Sequence, residues 1–122
     1  FKDGNAVNVV DYKTGKIKTR NEIESKTKNA DGNYFRQLIF YKILLDRFEN
    51  GKLEMQSGII DFIEPDEKEK FHKEIFEISK RDTETLVEKI KQVAGEILNL
   101  SFWNTHCDKK DCEFCSLRKM MK

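Results

Sequence analysis

The run Val9-Val10-Asp11-Tyr12-Lys13-Thr14-Gly15-Lys16 limits what this chain can be more than any other stretch. The valine-rich segment from Ala6 to Tyr12 reads as a buried strand, and Thr14-Gly15 as the turn that ends it. Asp3-Gly4-Asn5 ahead of it is a turn signal, so Phe1 and Lys2 are expected to finish a partner strand of a hairpin. Side chains alternate along a strand, which sends Asp11 and Lys13 to one face and Tyr12 to the other, into packing. An acid and an ammonium group therefore converge at the open end of the strand. The carboxylate offers hard oxygen to a divalent metal, and the ammonium stabilises developing negative charge or orients a water. Hydrolysis of a phosphodiester uses both. By itself the tripeptide is more often a solvated ion pair of little energetic weight.

The 122 residues are enough for one domain at most. The chain opens on Phe1 and enters a strand within a few residues, so a start inside a longer domain is expected. Charged residues make up 37% and apolar ones 38%, with a mean hydropathy of -0.71, the balance of a charged, helix-rich, soluble domain. No apolar run approaches the ~20 residues that span a bilayer, and no leader pattern is present, so a cytoplasmic protein without membrane contact is expected. Because 23 basic side chains are almost cancelled by 22 acidic ones, no global field draws nucleic acid, and any such site is local. The three cysteines are odd in number and late in the chain, which favours metal binding or free thiols over a disulfide framework.

From Lys16 to Gly32 the sequence is polar and mixed in charge, and reads as a loop. Phe35, Leu38, Ile39, Ile43 and Leu45 predict a helix over 33–48, stopped by Asn50-Gly51. Leu53 to Ile63 predicts a strand with a bulge at Ser57-Gly58, and Phe71 to Ser79 a second strand antiparallel to it. Leu86, Ile90, Val93, Ile97 and Leu98 predict a helix to about Asn99, with Asp82 or Thr83 as its N-cap. This order suits an α/β mixed sheet with helices against it. On the first helix Gln37 and Tyr41 share one face, beside Tyr34 and Arg36, although a lone Q-x-x-x-Y is common by chance.

The string VVDYKTGK followed by Gln37-Leu38-Ile39-Phe40-Tyr41 closely resembles the ordered motifs of RecB-like PD-(D/E)xK nucleases, the group with helicase-nuclease C-terminal, AddB-type and CRISPR-associated members. The resemblance implies a restriction-endonuclease-like mixed sheet flanked by helices, with residues 1–100 as the C-terminal part of the nuclease core and 101–122 as a cysteine-bearing tail. It assigns catalysis to Asp11 and Lys13, and Mg2+ or Mn2+ binding to Asp11 and the backbone carbonyl of Tyr12. It gives contacts with DNA or the metal-bound phosphate to Gln37 and Tyr41; beside it, Arg36 next to Gln37 and Lys16 of the following loop are read as further DNA-binding residues. The implied parent is an exonuclease of DNA repair or recombination acting on single-stranded DNA or duplex ends, with a helicase domain in cis or in a complex. A further metal-binding acid is expected on a strand before Phe1, so this chain alone is expected to bind metal weakly and not to cut. Asp3, Asp61, Glu64 and Asp66 are read as surface charges.

Cys107, Cys112 and Cys115 lie as C-x4-C-x2-C after His106. Part of that pattern resembles the late cysteine group that holds an iron-sulfur cluster in some RecB-like nucleases, but the chain has no fourth cysteine. A complete site needs a ligand from elsewhere or from His106. Two other function classes stay open: a non-catalytic nuclease-fold module that binds single-stranded DNA or braces a helicase, and a small zinc-binding interaction domain built on the cysteines.

Overall fold

The computed structural model of the chain describes residues 4–28, 30–105, 107–109 and 111–120. Phe1 and Lys2, assigned above to a hairpin strand, and Asp3 and His106 lie outside the described residues. The elements run β1 (Ala6–Lys13), α1 (Arg20–Ile23), α2 (Asn33–Arg47), β2 (Glu54–Phe62), β3 (His72–Phe76), α3 (Lys80–Leu98) and α4 (Glu113–Met120). Short 3-10 turns follow α2 and α3. The chain divides into two compact units, one ending at Val87 and the other beginning at Glu88. None of the described helices is long and apolar enough to cross a membrane.

The first unit is built on a sheet in the order β1-β2-β3, with β1 parallel to β2 and β2 antiparallel to β3. Parallel neighbours need a crossover, and α1 and α2 supply it. Register then assigns faces. Val7, Val9, Asp11 and Lys13 lie beside Met55, Gly58, Ile60 and Phe62, and these beside Glu74 and Phe76, all on the face that carries the helices. Ile23 of α1 and Leu38 of α2 close over Ile60, Phe62 and Phe76 to form the core, with Tyr34, Phe35 and Ile78 packed around it. Full burial of each such side chain contributes about 1.5–3 kcal/mol.

Four expectations change in detail. The 16–32 segment carries a helical turn, α1, because Thr19 and Glu22 form a reciprocal capping box. Arg20 anchors that turn to β3 through Glu74 at 3.2 Å and the Ile75 carbonyl at 2.9 Å, and it stacks on Phe76. The irregularity in β2 falls at Gln56, since Val7 pairs Met55 while Asn8 pairs Ser57. Gly58 serves a different need: a Cβ there would meet Met55 Cε at 2.9 Å and both Leu38 methyls at 3.0 Å, so glycine lets α2 seat on the sheet. The N-cap of α3 is Ser79, whose backbone N–H donates to Asp82 at 2.9 Å while its hydroxyl oxygen accepts from the Asp82 N–H at 3.2 Å. Finally, Tyr12 is 65% exposed and Val10 39%, because the second face of the sheet is not covered by α1 or α2. Alternation holds, but only Val7 and Val9 anchor β1 on the helical side.

α2 itself ends at Arg47 with Phe48 extended as its C-cap, and the Asn50-Gly51 stop closes the 3-10 turn that follows, where Gly51 takes φ 80°, a left-handed cap that a side chain would strain. In the second unit α3 continues to Leu98, and α4 follows a loop that carries Cys107.

Candidate active site

Asp11 and Lys13 sit near the C-terminal end of β1 and meet on the helical face, with Lys13 Nζ 3.1 Å from Asp11 Oδ1. Their side chains retain only 15% and 11% exposure for Lys13 and Asp11 respectively, so the pair is partly shielded by protein. That shielding comes from α2, whose residues at helical spacing reach down to the strand. The ammonium of Lys13 donates to Gln37 Oε1 at 2.5 Å, and the hydroxyl of Tyr41 donates to Asp11 Oδ2 at 3.4 Å. One turn earlier, Tyr34 offers its ring face to Lys13 at 4.5 Å. Leu38, between these polar residues, is fully buried and fixes the rotation of α2 over the sheet. The site therefore rests on a strand and a helix, which position side chains more precisely than loops do.

Strand geometry also places the main-chain oxygen of Tyr12. The carbonyls of Asn5 and Lys13 accept from Glu54 and Ile63 at 2.8 and 3.1 Å, so the odd-numbered residues of β1 bond toward β2. Alternation turns the Tyr12 carbonyl to the opposite edge of β1, which pairs with no strand among the described residues. Asp11 and Tyr12 thus supply a carboxylate and a carbonyl, both hard oxygen donors of the kind that suit Mg2+ or Mn2+.

Four predicted residues, Asp11, Lys13, Gln37 and Tyr41, are joined by direct contacts. Two others are elsewhere. Arg36 donates to Asn33 Oδ1 at 2.8 Å and to the Asp31 carbonyl at 3.1 Å, which ties it to the start of α2. Lys16 is exposed and lines, with Gly15, Ile17 and residues 64–68, a cavity of about 430 Å3 beside the ends of β1 and β2. The acids read as surface charges behave so where described. Asp61 pairs with Lys73 at 3.2 Å on the face opposite Asp11. Asp66 accepts the N–H groups of Lys68 and Lys70 and bonds His72 at 2.7 Å; with His72 the leading cause, its carboxyl is held below the usual range.

The sequence reading gave Tyr34 no role, yet two cations approach its ring, with Lys18 Nζ at 4.4 Å and Lys13 Nζ at 4.5 Å from its centre. Lys18 is also held by Asp31 at 3.8 Å. The available signal was the position of Tyr34 one turn before Gln37, on the same helix face.

In the second unit the sulfurs of Cys107, Cys112 and Cys115 all lie within 4.8 Å of one another, and no disulfide joins them. The backbone N–H of Cys115 and the thiol of Cys107 bring the Cys112 thiol down to about 7, while hydrogen bonding with Cys112 holds the Cys107 thiol up.

No curated protein and no solved structure matches the chain. A family model does: the one described as the PD-(D/E)XK nuclease superfamily matches residues 2–120. The mixed sheet with helices on one face agrees with that match, and the matched range includes β1 with its Asp11–Lys13 pair. The chain belongs to the PD-(D/E)XK nuclease superfamily.

Proposed function

We propose that this chain carries the acid and lysine of a metal-dependent DNA nuclease of the RecB-like kind, working in an exonuclease or helicase-nuclease of DNA repair or recombination. The observation that carries the reading is the four-residue cluster in which Asp11, Lys13, Gln37 and Tyr41 interlock across β1 and α2. An ion pair kept only for solubility has no need of a glutamine and a tyrosine aimed at both partners.

Asp11 and the Tyr12 carbonyl are the residues that would hold Mg2+ or Mn2+, and the ion, when bound, polarises the phosphate and acidifies water. The chain's own groups do the positioning. Gln37 and Tyr34 hold the Lys13 ammonium beside Asp11, where it stabilises negative charge building on the phosphate or orients the attacking water. Tyr41 fixes the second carboxylate oxygen and so sets the direction in which Asp11 presents its lone pairs. The exposed amide of Gln37 and hydroxyl of Tyr41 form the wall that DNA would meet, and Lys18 over Tyr34 adds a cation for its backbone.

The test is cleavage of single-stranded and duplex DNA by the full native protein with Mn2+, comparing wild type with Asp11→Ala. Loss of cleavage with an unchanged circular dichroism spectrum is expected. Equal cleavage by the variant would remove Asp11 from the chemistry, and absence of cleavage by the wild type, with DNA still bound, would favour the non-catalytic module.

A further inference from the structure

The cysteine trio belongs to the second unit and stands apart from the nuclease reading. Its geometry is specific enough to choose between ligands. Cys107 Sγ and Cys115 Sγ are 3.7 Å apart, and the whole trio fits within 4.8 Å. A disulfide requires about 2.05 Å, so these are three thiols. A tetrahedral ion with Zn–S bonds of about 2.3 Å holds its sulfurs about 3.8 Å apart, which is the edge of that tetrahedron. A [4Fe–4S] cluster, by contrast, gives each cysteine its own iron, and a [2Fe–2S] cluster lets only two share one, so the body of either pushes at least one of three thiolates well beyond that edge.

Local structure explains why the sulfurs converge. Cys112 immediately precedes α4 and its carbonyl accepts from the Ser116 N–H at 3.0 Å, so Cys112 and Cys115 stand one helical turn apart on the same side. The N–H groups of Cys115 and Phe114 point back to the Cys112 sulfur. Cys107 arrives from the preceding loop, and that loop is braced by Arg118 of α4, which donates to the Trp103 carbonyl and, at 2.8 Å, to the Thr105 carbonyl. The brace holds the chain two residues before Cys107 without any help from sulfur. Soft thiolates with nearby N–H groups are the donor set of a zinc ion and a poor one for Mg2+ or Mn2+.

We propose that Cys107, Cys112 and Cys115 bind one zinc ion between them as a three-thiolate site that fastens the loop to the start of α4, in place of an iron-sulfur cluster. Cys107, outside the C-x2-C pair, is a full ligand in this arrangement. The pair alone would bind far more weakly.

The experiment is metal and acid-labile sulfide analysis of the full native protein, purified anaerobically without added metal. One zinc per chain and no sulfide is expected; iron with sulfide, or no bound metal, would overturn the proposal. Cobalt(II) exchanged into the site reads the number of thiolates through its sulfur-to-metal charge-transfer intensity. That intensity should fall by about a third in Cys107→Ser, with the Cys107→His variant retaining one ion per chain at the same reduced intensity. An intensity unchanged in both variants would exclude Cys107 and sink the three-thiolate site. Neither result bears on Asp11, so failure here is separable from failure of the nuclease reading.

Discussion

The acid–lysine site and the cysteine trio offer metals opposite kinds of donor on opposite kinds of support. Asp11 and Lys13 are fixed by β1, and their partners by α2, whose rotation is set by the buried Leu38 against Gly58. The cysteines hang on one helix start and a loop held by Arg118. Hard oxygen on a preformed scaffold suits an ion that must keep open positions for substrate and water. Soft sulfur on a short loop suits an ion whose binding contributes to the local fold. On the two proposals made above, one metal would serve chemistry and the other architecture.

The largest effect should come from the scaffold that the first site depends on. Phe62→Ala empties the centre of the core and should cost about 3–5 kcal/mol by denaturant unfolding. A loss under 1 kcal/mol would mean the sheet and helices are not packed as described. Next, Gly58→Ala drives a methyl into Met55 and Leu38 and should cost about 1–3 kcal/mol. It should also slow cleavage, since Leu38 lies between the residues that touch Lys13 and Asp11. Full stability with slowed cleavage would separate the two roles and sharpen the comparison.

Smaller effects probe individual polar contacts. Tyr41→Phe removes one hydrogen bond to Asp11 and should cost about 1 kcal/mol in transition-state stabilisation, roughly a fivefold drop in kcat/KM, with stability nearly unchanged. In the second unit, thiol alkylation of metal-free protein should reach half its maximal rate at Cys112 near pH 7, before Cys107 reacts. The reverse order would show that the trio is not assembled without metal.

The smallest effect concerns Glu22. Its carboxyl is held below the usual range mainly by the Thr19 backbone N–H, so the folded state favours the ionised form. That stabilisation is present above the usual carboxylate range and is lost as pH falls through the lowered value. Glu22→Gln should therefore be slightly less stable than wild type at neutral pH, with the gap closing on acidification.

Much of this was legible in the sequence because it depends on local periodicity. The D-x-K pair shares a strand face by alternation, Gln37 and Tyr41 share a helix face by spacing, and α2, β2, β3 and α3 follow their apolar patterns. What escaped depends on contacts between distant residues. Gly58 looks like a bulge residue until Leu38 is placed above it. Tyr34 reads only as a neighbour of Gln37 and Tyr41 until Lys13 and Lys18 are brought over its ring. Tyr12 was assigned to packing, but alternation fixes only the side to which it points, and no other element sets that it is 65% exposed. The capping box of α1 was readable as Thr19-x-x-Glu22, although a turn this short carries no apolar period. The convergence of the cysteines depends on more than spacing: C-x2-C indicates two ligands, while the loop that carries the third is held by contacts such as those of Arg118 with the Trp103 and Thr105 carbonyls.

The central claim is that Lys13 acts on the phosphate held beside Asp11. Its most direct test is the rate of DNA cleavage by the full native protein under saturating Mn2+, wild type against Lys13→Ala, with Mn2+ affinity and thermal unfolding measured on the same samples. The account predicts a fall in kcat of about 100-fold to 1,000-fold, with metal binding and unfolding essentially retained. Cleavage within a factor of about 3 of wild type, less than 1 kcal/mol in barrier, would contradict it.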